Sequence, residues 1–254
     1  MLISAKLIIP SRKGLFIMIV CLPSLLLTLN GQSQNVNHNI HSFIDSTQKI
    51  YGSSDLLVNG SVYYQPNRLA SGNPFLFSAE FEKGTVFTRG FSFHGVNLNY
   101  DIAHQQLILL HTSPDGARLY IGLSDVLIDS FLLTNYFFVV PAKLGLQSKY
   151  PYMMAVNKGK YRMLIAYNKE FISRYNQRNP MGKFSSTKGS LFLASENTIV
   201  KIYSEKTFLK TFPAARKEIS TYLRQHKINL LKATPEQLEQ LMDFYNQQQE
   251  KADE

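Results

Sequence analysis

The sequence predicts a mainly β fold, formed as a curved sheet, roll or sandwich of about a dozen short strands, with two or three C-terminal α-helices. Three observations lead to this prediction. From Tyr51 to Tyr203 the chain consists of short apolar or alternating runs rich in Val, Ile, Phe and Tyr, which suit half-buried strands. Turn residues separate these runs, and no helix-length segment lies between them. After Ser204 the apolar spacing changes from about two residues to nearly four.

Twelve runs are predicted to be strands. In chain order they are LLVNGSVYY, PFLFSAEF, GTVFTRGFSF, VNLNYDI, QLILLH, ARLYIGL, VLIDSFLL, YFFVVP, PYMMAVN, YRMLIAYN, SLFLAS and TIVKIYS. The stretches SPDGA, NKGK and SENT indicate hairpin loops, in which Gly116 and Gly159 supply the positive φ of tight turns. The polar stretch 175–188 is predicted to be an exposed loop, which is one place where binding surfaces occur.

The segment after residue 203 predicts two short helices. Ser204 is placed to cap the first helix, whose apolar face is formed by Phe208, Leu209 and Phe212. Pro213 is expected in the first turn of the second helix, where a proline needs no N–H group. The apolar face of the second helix is formed by Ile219, Tyr222 and Leu223.

A third helix is predicted after Thr234, which caps it, with Pro235 at the first helical position and Gln237 closing a capping box. One apolar stripe follows at spacings of three, four and seven residues: Leu238, Leu241, Met242 and Tyr245. Such stripes usually pack on their own protein, and this is the interpretation that we favour. The alternative is that the stripe is an exposed surface for a partner.

The ends of the chain are predicted to lie outside the folded domain. Lys6, Arg12 and Lys13 precede an apolar run from Leu15 to Leu29, which is the pattern of a secretory signal peptide. The run is shorter than the roughly 20 residues of a membrane span, so we expect no span after signal cleavage. The predicted organisation is a signal peptide at 1–33, a polar segment or short helix at 34–50, a β domain at 51–203, a helical segment packed on it at 204–246 and a disordered tail at 247–254.

Composition excludes several classes of function. The only cysteine, Cys21, lies in the predicted signal peptide, so the mature chain has no disulfide, zinc–thiolate site or cysteine nucleophile. The formal charge of +9 falls to +6 when the three positive side chains of residues 1–33 are removed. These charges are dispersed, which is typical of a solvated surface and not of a nucleic-acid groove. There is no Gly-rich phosphate loop and no HExxH motif, and we predict neither a cofactor nor a metal.

Four residues around NLNYDIAHQQLILL are the candidates for chemistry: His94, Asp101, His104 and His111. Two imidazoles and a carboxylate would suit a metal or an acid–base site, but no i, i+4 or HxH spacing fixes such a geometry. An aspartate at a strand end commonly accepts hydrogen bonds from the backbone N–H groups of the following turn. We therefore interpret Asp101 and His104 as residues of a β-hairpin turn.

Five stretches and the helical C-terminal segment carry a resemblance when they are taken together. The stretches are YGSSDLLVNGSVYY, ASGNPFLF, GTVFTRGFSFHGVNLNYDIAHQQLIL, IDSFLL and GKYRMLIAYNKEF. In this order they resemble a family of uncharacterised exported proteins of Bacteroidota-type bacteria. The resemblance covers most of residues 50–246. It implies an envelope location, in the periplasm or at the outer surface of a Gram-negative bacterium, and a shared fold. The family has no assigned activity, so the resemblance assigns no catalytic residue.

The sequence favours a non-enzymatic envelope protein that binds or supports another macromolecule, either an envelope protein or an envelope polymer. The first alternative is a carrier of an apolar ligand, because a curved sheet has a concave face. The second alternative is a hydrolase that acts on envelope polymers, which would require the four candidate residues to converge in one cleft. The oligomeric state does not follow from the sequence.

Overall fold

The computed structural model of the chain describes residue 57 and residues 60–253, apart from positions 114 and 197. All elements described below belong to one compact unit, residues 51–254. The predicted signal peptide at 1–33 and the polar segment at 34–50 lie outside the described residues.

The described residues contain thirteen strands, and eleven of them form one open antiparallel sheet in the order β1-β5-β4-β3-β2-β6-β7-β8-β9-β12-β13. The strands are β1 (Ser61–Val62), β2 (Glu82–Thr88), β3 (Phe91–Asp101), β4 (Gln106–Thr112), β5 (Arg118–Gly122), β6 (Ser130–Leu133), β7 (Tyr136–Val139), β8 (Met153–Ala155), β9 (Tyr161–Asn168), β10 (Phe171–Ile172), β11 (Lys183–Phe184), β12 (Lys188–Ser195) and β13 (Thr198–Ile202). The predicted mainly β fold is confirmed, as a single curved sheet. Two runs of consecutive hairpins, β2–β5 and β6–β9, meet where β2 pairs with β6.

Three local predictions in the sheet are wrong. The run GTVFTRGFSF is not one strand, because the chain reverses between β2 and β3 at Arg89 and Gly90, which both have positive φ. The other two differences concern the stretches 74–81 and 175–188. The run 74–81 is not a strand, because the Asn99 side chain donates hydrogen bonds to the carbonyls of Ser78 and Glu80 and holds this segment as a loop. The stretch 175–188 is not entirely a loop, since Lys183–Phe184 forms β11, which pairs with β10 in a two-stranded ribbon. The differences at 74–81 and 175–188 arise from contacts between residues that are distant in the sequence.

Ring contacts show how strongly the sheet curves. Four strand spacings separate β3 from β8, which would be about 19 Å in a flat sheet. Yet the ring centroids of Tyr100 on β3 and Tyr152 beside β8 are 5.5 Å apart. Phe131 and Phe138 stack at 4.6 Å in the same cluster. In the described part of the chain these four rings occupy the concave face of the sheet.

Three helices follow the sheet: α1 (Glu205–Thr211), α2 (Arg216–Gln225) and α3 (Pro235–Asp253). The predicted caps are confirmed, because the Ser204 hydroxyl accepts a hydrogen bond from the backbone N–H of Thr207 at 3.1 Å. At α3 the side chain of Gln237 accepts from the N–H of Thr234 at 3.0 Å, and the Thr234 hydroxyl accepts from the N–H of Gln237 at 3.3 Å. The placement of Pro213 in α2 is wrong. It lies in the link to α1, where its fixed φ is tolerated.

Helix α3 packs its apolar stripe onto the protein's own core. All four residues of the stripe are buried: Leu238, Leu241, Met242 and Tyr245. The Tyr245 ring lies 4.2 Å from that of Phe212 and 5.3 Å from that of Tyr161 on β9. The alternative of an exposed partner surface at this stripe is therefore wrong. The predicted disordered tail also differs, since α3 continues to Asp253 through residues without proline or glycine.

A segment on the opposite face of the sheet covers β7, β8 and β9. It begins with a 3-10 turn at Pro141–Leu144, and Leu146 and Tyr150 pack with Met153 and Leu164 in a second core cluster. Because both faces of β8 are covered here, the adjacent side chains of Met153 and Met154 are both fully buried.

Truncation of the α3 stripe tests this packing. We expect Leu241→Ala to lower the free energy of unfolding by about 2–5 kcal/mol, because it leaves a cavity between α3 and the sheet. Gln240→Ala, at the exposed neighbouring position, is the control and should be nearly neutral. Urea unfolding of residues 34–254 measures both. Similar small effects for the two variants would contradict this docking of α3.

High pH provides a second test. Burial raises the pKa of both Tyr167 and Tyr245 to about 12, from an ordinary value of 10.0. Folding thus favours the protonated phenol, so this contribution to stability is complete below pH 10.0 and is lost as the pH rises through about 12. Tyrosinate absorbance and circular dichroism should show late-ionising tyrosines that titrate as the protein unfolds. Ionisation of all 14 tyrosines together in the folded protein would contradict this expectation.

Candidate functional site

Asp101 ends β3 and anchors the turn to β4. Its side chain is 0% exposed. One carboxylate oxygen, Oδ1, accepts hydrogen bonds from the backbone N–H groups of Ala103 and His104, each at 2.9 Å. The predicted role of Asp101 in the hairpin turn is therefore confirmed.

The second carboxylate oxygen of Asp101 binds two side chains. Its Oδ2 atom accepts a hydrogen bond from the Tyr63 hydroxyl at 2.7 Å and lies 2.7 Å from Nδ1 of His104. Burial, together with the hydrogen bond to Asp101, raises the pKa of Tyr63 well above its ordinary value. The His104 side chain is 35% exposed. A buried carboxylate that orients an imidazole is the arrangement of a general base and its partner, and an active site would also need a nucleophile and a substrate cleft beside the imidazole.

The same hairpin tip contacts the far end of β9. Gln105 donates from Nε2 to the carbonyl of Tyr167 at 2.8 Å and accepts from the Tyr100 hydroxyl at 2.9 Å. The Lys169 ammonium donates to the carbonyls of Asn73 and Phe75. Burial lowers the pKa of Lys169, while the nearby Asp101 opposes that shift. We call the set Tyr63, Asp101, His104, Gln105 and Lys169 the hairpin clasp.

The other two histidine candidates lie elsewhere. His94 is seven residues before Asp101 on β3, about 20 Å away at the rise of a strand. It contacts the hydroxyls of Thr85 and Ser92. His111 is five residues beyond Gln106, the residue paired with Asp101, or about 16 Å. In the described ranges, no three His, Cys, Asp or Glu side chains gather as a metal site would require.

The contacts of the clasp order the hairpin turn and join it to neighbouring segments. Among the described residues, His104 makes its only side-chain hydrogen bond to Asp101, so no serine or threonine hydroxyl is held against the imidazole as a nucleophile. Asp101 uses both oxygens to order the turn, and Gln105 and Lys169 join that turn to β9 and to the segment before β2. Of the four residues singled out from the sequence, the structure brings together Asp101 and His104 alone.

A separate cleft of about 620 Å³ lies between the sheet and the first turns of α3. Its walls are the β6–β7 turn, the adjoining ends of β7 and β8, the β8–β9 turn and one side of the helix. The lining residues are Thr134, Asn135, Tyr136, Phe137, Met154, Ala155, Val156, Asn157, Lys158, Pro235, Glu236, Glu239 and Asp243. We call this site the α3 cleft.

The α3 cleft has an aromatic wall and an acidic wall. Tyr136 stacks on Phe77 with ring centroids 5.5 Å apart. Across the cleft from Tyr136, α3 presents the exposed carboxylates of Glu236, Glu239 and Asp243. The helix's own N–H group and the Thr234 side chain lower the pKa of Glu236. These three carboxylates face a single lysine in the lining, so the cleft is acidic on a chain of net positive charge.

Hydrogen bonds hold the backbone at both ends of the cleft. The Asn157 side chain donates to the carbonyls of Lys158 and Tyr161 at 2.9 Å and accepts from the N–H of Met163 at 2.8 Å. The same β8–β9 turn accepts a hydrogen bond from Asn246 of α3 at the carbonyl of Lys158. The capping box fixes the start of the helix on the other side. These hydrogen bonds hold the β8–β9 turn against α3 and fix the start of the helix.

The sequence interpretation missed the α3 cleft. One usable signal was present: Glu236, Glu239 and Asp243 recur at i, i+3 and i+7, on the side of the helix that the apolar stripe leaves free. The opposite wall has no such signal, because only the tertiary fold brings the β6–β7 turn to the helix. The clasp partners Tyr63, Gln105 and Lys169 were missed for the same reason.

Comparison with protein-family models, with curated proteins and with solved structures gave no match. In the portion of the chain that the structure describes, no helix combines the length and apolar character needed to cross a bilayer.

The contacts of Asp101 in the hairpin clasp predict that a change of this residue strongly lowers the stability of the protein. We expect Asp101→Asn to lower the free energy of unfolding by about 2–3 kcal/mol, because the amide nitrogen would face donors from Tyr63 and His104 in a buried site. Asp125→Asn, in the exposed turn before β6, is the matched control and should change little. Chemical denaturation measures both variants. Equal stability of the two would show that Asp101 is not the anchor described above.

Proposed function

We propose that this protein is an exported, non-enzymatic binding protein of the cell envelope, and that the α3 cleft holds an extended segment of a protein partner. Export and the envelope address are supported by the signal-peptide pattern at 1–33, the cysteine-free mature chain and the resemblance to exported proteins. These three features concern location, and the binding role depends on the cleft.

The α3 cleft is the observation that carries the proposal. Its volume of about 620 Å³ lies within the range of about 300–1,000 Å³ that is typical of ligand sites. The strand wall offers apolar and aromatic surface from Tyr136 and Val156, and the helix wall offers carboxylates. Such a site suits a segment in which apolar side chains alternate with lysine or arginine. An anionic polymer would be repelled by the helix wall, so a protein partner is favoured.

The non-enzymatic role is supported by what Asp101 and His104 already do. The carboxylate that would orient a catalytic imidazole is committed to the hairpin turn and to Tyr63, and the two remaining histidine candidates are about 16–20 Å away along their strands. A hydrolase built on these four residues has no cleft in which they meet.

The carrier alternative has less support than the binding role. Carrying an apolar ligand requires open space on the concave face of the sheet. In the described residues that face is occupied by the rings of Tyr100, Phe131, Phe138 and Tyr152 and by the buried side chains of the helices.

Site-specific photo-crosslinking in the native host tests the proposal. A photoreactive residue at position 239 should give one dominant adduct, because this position lines the cleft. The same residue at position 206, on the exposed side of α1, is the positional control and should not give that adduct. Glu236→Lys combined with Asp243→Lys should reduce the yield at least about tenfold by charge repulsion.

A charge-matched control distinguishes the effect of the charges in the cleft from the effect of the protein's net charge. Glu82→Lys combined with Asp125→Lys makes the same change at exposed positions outside the cleft lining and should leave the adduct intact. Loss of the adduct in both double variants, or equal adducts from positions 239 and 206, would rule out the α3 cleft as the binding site.

A further inference from the structure

The open sheet ends in β13, and the outer edge of this strand is available for pairing with another strand. β13 (Thr198–Ile202) has β12 as its one strand partner in the described residues, so its outer edge carries backbone N–H and C=O groups without a ladder. The opposite edge strand, β1, has only two residues. Proteins usually protect such edges with prolines, charges or short strands, and β13 contains neither proline nor glycine.

The one charge on β13 is directed away from the open edge. The Lys201 ammonium lies 6.0 Å from the ring centroid of Phe192, which is on β12, and 5.1 Å from that of Tyr203. Meanwhile Val200 is 42% exposed and Tyr203 is 69% exposed. The edge is thus apolar and rich in β-branched residues, which are the properties of a strand that accepts another strand.

We propose that β13 pairs with β13 of a second copy of this chain, antiparallel about a two-fold axis at Val200, so that two eleven-stranded sheets become continuous. In this register Val200 faces its own copy, Ile199 faces Lys201 of the other copy, and Thr198 faces Ile202. No two like charges are directly opposed, and each Lys201 stays over its own Phe192 ring. The inference is independent of the α3 cleft, since no residue of β13 lines that cleft.

The symmetry of the pair favours a second copy of this chain as the partner of β13. In an isologous contact the same surface of each copy must complement itself. β13 meets this requirement because its central residue, Val200, is apolar and its one charge, Lys201, lies off the two-fold axis. A five-residue pair is a small interface, so the association is expected to depend on protein concentration.

Charge pairing at the axis provides the test, measured by sedimentation velocity of the mature chain over a range of concentrations. Wild type and Val200→Thr should dimerise, whereas Val200→Lys and Val200→Glu should each be monomeric, because like charges would be directly opposed. An equimolar mixture of Val200→Lys and Val200→Glu should dimerise again. A wild type that stays monomeric, or charge variants that still dimerise alone, would overturn the proposal.

A cysteine at position 200, on the proposed two-fold axis, gives a second test and replaces no buried residue. The mature chain has no cysteine, and paired Cα atoms in an antiparallel ladder lie about 4.5–5.5 Å apart, within reach of a disulfide. Val200→Cys should form an interchain disulfide at least about tenfold faster than Val126→Cys. Val126 is the control because it is 72% exposed and lies in the loop before β6. Equal rates would overturn the proposed register.

Discussion

The buried carboxylate of Asp101 is the interaction on which the rest of the structure depends. An open sheet has no final ladder to hold its curvature, so other contacts must join its distant parts. Asp101 orders the β3–β4 hairpin tip, and Gln105 and Lys169 fasten that tip to the end of β9. This connection maintains the concave face on which α1, α2 and α3 pack, and thereby sets the position of the α3 cleft.

Much of the local structure could be predicted from sequence, because local interactions determine it. The caps at Ser204 and Thr234 involve residues three positions apart, and alternation located most of the strands. The strand order and the curvature could not be predicted, since they depend on contacts such as that of Lys169 with Phe75, 94 residues away. The loop at 74–81 shows the same limit, because a distant side chain, Asn99, replaces the expected strand pairing.

The candidate site was predictable only on its helical side. The stripe that contains Leu241 was correctly expected to prefer the protein's own core, and once it is buried the opposite carboxylates must face outward. That they face Tyr136 across a cleft is a property of the fold. For the candidate histidines, sequence spacing was informative only over a few residues. His104 contacts Asp101, three residues before it, whereas His94 is separated from both by most of the length of β3.

The order of the strands also has a consequence for how the chain folds. Hairpins β2–β5 and β6–β9 each form from neighbouring segments, but the pairing of β2 with β6 requires the chain to return past three strands. Loop-closure entropy makes such a non-local step slow relative to the hairpins. Until it is complete, two apolar edges are open at the same time, which favours aggregation. A chaperone that shields these two edges until β2 pairs with β6 would therefore increase the yield of folded protein.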